Sequence, residues 1–156
     1  MILSGAHETV IGGSTPATRN VISANGFIGV DLDRTNDSVI KGNYVGTDKS
    51  GTKDLGNVNS GIRIDAVFGL AAGTTVGGDT AASRNVISGN GSDGITLDST
   101  QGTRVVGNRI GTTASGTEDL GNDDGVFISA PQGRPLYCAR AHKDVLGRMR
   151  GFLPEY

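Results

Sequence analysis

The chain has 156 residues, a formal net charge of −2, 26 glycines, no tryptophan and only 4% aromatic residues. That length suits one domain, and so few aromatics leave little bulky surface for an ordinary globular core. One cysteine excludes a disulfide framework and a multi-thiolate zinc site, no apolar run reaches the roughly 18 residues that span a bilayer, and the near-neutral charge gives no electrostatic case for nucleic acid.

The opening MILSGAHE lacks the basic and long apolar regions of a signal peptide. From Thr9 the chain repeats itself. Residues 9–59 align on 74–124 without a gap, with 27 of 51 positions identical. TVIGGSTPATRNVISANG (9–26) answers TTVGGDTAASRNVISGNG (74–91), and GNYVGTDKSGTKDLGN (42–57) answers GNRIGTTASGTEDLGN (107–122). Repeats of this kind mean units that bury an apolar face on their neighbours.

Within the 65-residue unit lies a half-period. The four-residue strands GVDL (29–32), GIRI (61–64), GITL (94–97) and GVFI (125–128) follow one another at spacings of 32, 33 and 31 residues. Each alternates with period two, so Val30 and Leu32 share one face while Asp31 and Asp33 share the other. Between them come short apolar pieces closed by Gly, Asn or Ser: Val39-Ile40, Tyr44-Val45, Val76, Val86-Ile87, Val105-Val106 and Ile110. About three short strands per roughly 32 residues predicts an all-β chain: a right-handed parallel β-helix, a solenoid of about four coils stacked at about 4.8 Å. Val30, Ile62, Ile95 and Val126, beside Leu32, Ile64, Leu97 and Ile128, form its inward ladders. The expected organisation is 1–130 as β-helix, with copies 9–73 and 74–130, followed by 131–156 as an atypical tail.

The asparagines fall at matching turns, Asn20 with Asn85 and Asn43 with Asn108, and are expected to bridge adjacent coils through their amides. Arg19 and Arg84 precede the first pair, as a repeated scaffold contact would. The long segments 47–60 and 112–124 are expected to leave the coil on one side, with Leu55 and Leu120 tucking them against it. Asp48 and Ser50 suggest a calcium loop only superficially, because the second copy carries Thr113 and Ser115 and the closing glutamate of an EF-hand is missing.

After Ala130 the composition changes. The tail holds three of four prolines, Cys138 and no asparagine, against ten asparagines before it. Its five basic and two acidic residues give +3, whereas the first 130 residues give −5 from nine basic and fourteen acidic. Val145, Leu146, Met149, Phe152 and Leu153 have the spacing of one helix face, which predicts a short C-terminal helix over 141–153. Gly147 and Gly151 weaken it by about 1 kcal/mol each. Two readings of the tail stay open: a cap over the end of the β-helix, or non-native sequence without a selected fold.

Stacking the four strands places Asp33, Asp65, Asp98 and Ser129 in one outward column, and Asp31, Arg63, Thr96 and Phe127 in the next. Asp31, Asp33, Arg63, Asp65 and Asp98 are therefore the candidate binding residues. Carboxylates about 5 Å apart repel unless a cation intervenes, and calcium prefers such oxygen clusters. Asp33, Asp65 and Asp98 are the alternative calcium ligands. No other cofactor is expected. Solvated strand-end carboxylates, with Arg63 neutralising its neighbours, are the plainer reading.

The GVDL-type strands, RNVIS-x-NG (19–26 and 84–91) and GN-x-V/I-GT (42–47 and 107–112) resemble pectin-lyase-like right-handed β-helix proteins. They are most similar to repeat arrays of large secreted or surface-anchored bacterial proteins. The resemblance implies secretion or a cell-surface location. It implies polysaccharide or cell-surface material as partner, and further repeats of a longer parent chain. Pectate lyases, which the fold resembles, use carboxylate-bound calcium and a basic residue. By that analogy Asp31, Asp33 and Asp65 would hold calcium, and Arg63 and Asp65 are the alternative catalytic residues. The Gly-His-Gly motif of polygalacturonase-type hydrolases is missing; the histidines are His7 and His142. The expected function is a structural or adhesive repeat segment, with no catalytic residue; the rival is a calcium-dependent polysaccharide lyase.

Overall fold

The structure, a computed structural model, describes residues 1–66, 72–129 and the strand at 149–151. Its strands are all parallel within three sheets. The first sheet stacks β1 (Ile2–Ser4), β4 (Val30–Asp33), β7 (Ile62–Asp65), β10 (Ile95–Asp98), β13 (Val126–Ser129) and β14 (Met149–Gly151). The second stacks β2 (Val10–Gly12), β5 (Val39–Lys41), β8 (Thr75–Gly77) and β11 (Arg104–Val106). The third stacks β3 (Val21–Ile22), β6 (Tyr44–Val45), β9 (Val86–Ile87) and β12 (Arg109–Ile110). The chain thus visits the three sheets in turn and returns one layer higher, a parallel β-solenoid of about 4 turns. We number the coils 1 (1–28), 2 (29–60), 3 (61–93) and 4 (94–124).

The core is aliphatic and arranged in columns. Val30 pairs with Ile62, Ile62 with Ile95 and Ile95 with Val126, and all four are buried. Leu32, Ile64 and Leu97 form the neighbouring buried column, with Leu3 and Ile128 partly buried at its ends. Ile11, Ile40, Val76 and Val105 fill the second sheet's inner face, and Val45, Ile87 and Ile110 the third's. Each buried aliphatic side chain contributes about 1.5–3 kcal/mol by leaving water. Branched residues also suit the pleat, where they stack one per layer.

The 65-residue repeat is two coils because successive coils bulge at different corners. Coils 1 and 3 insert a 3-10 turn between the second and third sheets, at Pro16–Thr18 and Ala81–Ser83. Coils 2 and 4 pass directly between those sheets and instead carry an arm after the third, at 47–56 and 112–121. Each arm is pinned by a short antiparallel bridge, Thr47 to Asp54 and Thr112 to Asp119. Although the arms belong to coils two layers apart, they touch: the Ala114 N–H donates to the Gly51 carbonyl at 2.7 Å. Leu55 does not tuck its arm against the coil. Its side chain is 48% exposed, and the anchoring is done by backbone, Leu55 N–H to Gly46 and Ala24 N–H to Leu55.

The asparagines form two ladders. In the first, the Asn20 Nδ2 donates to Asn43 Oδ1, Asn43 Nδ2 to Asn85 Oδ1 and Asn85 Nδ2 to Asn108 Oδ1, at 2.9, 3.2 and 2.9 Å. In the second, Asn25, Asn57, Asn90 and Asn122 are linked in the same sense at 2.6, 2.8 and 2.9 Å. Each acceptor oxygen also takes the backbone N–H of the asparagine below it. The amides reach carbonyls too: Asn43 to Ile11, Asn85 to Ile40, Asn108 to Val76. Arg19 and Arg84 repeat one contact, each Nε donating to a glycine carbonyl of the next coil, Gly42 and Gly107.

A second expectation is corrected. Residues 149–151 form a strand in register with β13, Val126 opposite Met149, and not part of a helix. An open sheet edge offers backbone partners to any extended segment, and the glycines at 147 and 151 had already weakened the helix. The remainder of 130–156, including Cys138 and the question of cap or non-native sequence, lies outside the described residues.

The ladders predict a graded effect. Asn43→Ala should destabilise the chain by about 2–4 kcal/mol, because it strands buried carbonyls and breaks the column in its middle. Asn20→Ala, at the exposed end, should cost less than about 1 kcal/mol. Urea unfolding of both variants measures the difference.

Candidate functional site

The candidate residues all lie on the outer face of the first sheet. The register aligns Asp33, Asp65, Asp98 and Ser129 on adjacent strands, and Asp31, Arg63, Thr96 and Phe127 beside them. Alternation brings them there, since their neighbours on each strand point inward.

Arg63 and Asp31 form the strongest contact of this face. The guanidinium grips the carboxylate through two parallel hydrogen bonds, Nε to Oδ1 at 2.9 Å and Nη2 to Oδ2 at 2.8 Å. Asp31 points away from the core, yet only 7% of its side chain is exposed. Its negative charge is thus held by a fixed partner in a nearly desolvated place. The hydrogen bond to Asp31 raises the Arg63 pKa, and the charges of Asp31, Asp65 and Asp33 add to the rise. A proton-abstracting base needs the opposite shift.

Asp33 has its own partners. Arg34 closes on it at 2.9 Å, and the Ser4 hydroxyl donates to it at 2.8 Å. These two hydrogen bonds, that of Arg34 foremost, hold its carboxyl below the usual range. Asp98 accepts from the Ser99 hydroxyl at 2.9 Å. Among the described residues, no three His, Cys, Asp or Glu side chains converge on a point where a metal ion could be held. Asp33, Asp65 and Asp98 are therefore a row along the sheet rather than a cluster around one centre.

The arms carry a second polar feature. The Asp48 carboxylate accepts from the Ser50 hydroxyl at 2.6 Å and from the N–H groups of Thr52 and Lys53 at 2.9 and 3.1 Å. These bonds push its pKa far down, the Ser50 hydroxyl most. The oxygens shape the turn itself, as in an Asx turn.

Sequence reasoning missed Asp93. It occupies the position that buried Ile28 fills in the first copy. That exchange of an apolar residue for a carboxylate was the available signal. Thr96 donates to Asp93 at 2.8 Å, and the Ser60 hydroxyl lies 2.8 Å from that of Thr96. Burial raises the Asp93 pKa; Thr96 opposes the rise, and Asp124 and Asp123 add to it.

No protein-family model, no curated protein and no solved structure matches this chain.

Two predictions follow from these contacts. Arg63→Ala should cost about 1–3 kcal/mol by leaving Asp31 buried and unpaired, and adding Asp31→Asn should recover part of it; a double-mutant cycle in urea reads the coupling. Because folding raises the Asp93 pKa, its stabilising contribution is complete below the unfolded value and is lost as pH rises through the folded one. Asp93→Asn should thus be the more stable chain near pH 7 and lose its advantage near pH 3, measured by denaturant midpoints at both.

Proposed function

We propose that this chain is a structural repeat segment of a secreted or cell-surface protein, with polysaccharide or other cell-surface material as the partner of its flat outer face. The observation that carries this reading is where the two copies agree. Residues identical in both include Asn20, Asn25, Asn43, Asn57 and their counterparts, Arg19 and Arg84, and Leu32 and Leu97. These make coil-to-coil contacts or fill the core. Several outward groups differ, Asp31 against Thr96, Lys41 against Val106 and Tyr44 against Arg109, while Asp33 and Asp98 recur. Repetition of the scaffold with less repetition of the surface suits a spacer or display element. Rows of carboxylate, guanidinium and hydroxyl groups at strand spacing suit the repeating polar groups of a polysaccharide. The pectin-lyase-like family is the reading that the repeat motifs favour, and secretion comes with it.

The test is affinity electrophoresis with acidic and neutral polysaccharides, combined with product release in calcium and in chelator. Retardation by at least one polysaccharide, without shortening of it, is the expected result. Calcium-dependent shortening that disappears in Arg63→Ala and Asp65→Ala would replace this reading with a lyase.

A further inference from the structure

The solenoid's own internal symmetry identifies what fits its first face. Coil 3 is the repeat-mate of coil 1, and coil 3 already sits on coil 2. Its seat is specific. The N–H groups of Thr75, Val86, Ser88 and Gly91 donate to the carbonyls of Ser38, Asn43, Val45 and Asn57 of coil 2, at 2.8, 2.9, 3.0 and 2.9 Å. Asn43 and Asn57 of coil 2 donate their side-chain amides up to the Oδ1 atoms of Asn85 and Asn90.

The corresponding groups of coil 1 are Val10, Val21, Ser23 and Gly26 for the amides, and Asn20 and Asn25 for the acceptors. They lie on or beside β1, β2 and β3, the terminal strands of the three sheets. The two coils differ in exposure. Val21 is 46% exposed, whereas its mate Val86 is 3%; Asn20 is exposed, whereas Asn85 is fully buried. Ile2, Val10 and Phe27 are exposed on the same coil.

We infer that this face is a docking surface for one kind of partner: a coil of the coil 2 type, carrying an asparagine before its third strand and another after its arm. A coil of the other type fits less well, because its 3-10 turn between second and third sheets puts bulk where coil 2 has the direct step Lys41-Gly42-Asn43. The step is tight on the side that faces coil 3: the Gly42 N–H donates to the Ser83 carbonyl at 3.1 Å, and a Cβ on Gly42 would come within 3.2 Å of the Ala82 carbonyl oxygen. The occupant must also present an arm, since the arms of coils 2 and 4 meet directly at Ala114 and Gly51. This inference rests on the coil geometry and not on polysaccharide binding.

The register names the joint. Met1 stands opposite Val30 by the pairing that sets Ile2 against Asp31, so it holds the place of Ile62. A copy of residues 29–61 placed directly before Met1 therefore continues the solenoid without a linker. The experiment compares the full chain with that extended chain by amide hydrogen exchange. The amides of Val10, Val21, Ser23 and Gly26 should exchange at least ~100-fold more slowly in the extended chain, and its thermal midpoint should rise. An extension whose copies of Asn43 and Asn57 are both changed to Ala should lose most of that protection. Unchanged exchange at the four amides would overturn the inference, as would protease removal of the intact extension with the rest left folded. Protection in the unextended chain that grows with concentration, with dimers in sedimentation, would also overturn it by giving the face to a second copy.

Discussion

The stacking of one coil on the next depends on side-chain amides at the corners of the solenoid. Strand backbone pairs with strand backbone, but the turns between sheets leave N–H and C=O groups that face neither water nor a ladder partner. Asparagine answers this with one acceptor and two donors on a short stem. Its oxygen receives the N–H of the asparagine in the coil below, and its nitrogen returns to that coil's carbonyls, as Asn85 does at Ile40 and Asn108 at Val76. Aspartate would lack the donors, and glutamine would carry the group one methylene too far. Leaving such groups unmet costs about 1–3 kcal/mol each. The requirement recurs at every layer, which is why the same residue recurs.

The alternating bulges follow from packing around those fixed corners. A coil can widen at one corner only if its neighbours stay narrow there, or the insertions collide. Coils 1 and 3 widen before the third sheet, and coils 2 and 4 after it. The gap between like insertions is two layers, and the arms close it by leaning together. Val86, on β9, lies outside the core cluster and is nevertheless buried. The two-coil repeat is thus a steric rule as much as a sequence pattern.

The outer face of the first sheet obeys a different logic. Parallel in-register strands place like residues at about 4.8 Å, which would set carboxylate against carboxylate up the Asp33–Asp65–Asp98 column. Here the charge is met by cations beside the column, Arg34 at Asp33 and Arg63 next to Asp31. Arg63 holds Asp31 in a bidentate grip. The row is polar in its middle, with Ile2 and Phe127 exposed at its ends.

The strand positions, their alternation, the parallel register and the inward ladders were all legible in the sequence. A 65-residue repeat with a half-period of about 32 and period-two apolar positions leaves one way to bury Val30, Ile62, Ile95 and Val126 together. The turn asparagines were legible too, because both copies carry them at the same places. Other features needed the tertiary structure. Strand register could align Asp31 with Arg63, but only the tertiary structure decided that the pair closes through two hydrogen bonds and that Asp31 is shielded from water. The second ladder, Asn25 to Asn122, joins residues whose Asn-Gly or Gly-Asn context reads simply as a turn. Leu55 looked like an anchor by composition, yet its backbone does the anchoring while the side chain stays in solvent. Met149 to Gly151 lie in a segment, 141–153, whose apolar spacing predicts a helix, and they form a strand. The physical reason is common to these cases. Periodicity along the chain records which face a residue occupies, whereas hydrogen-bond partners and burial are set by residues 23 to 42 positions away that only stacking brings near.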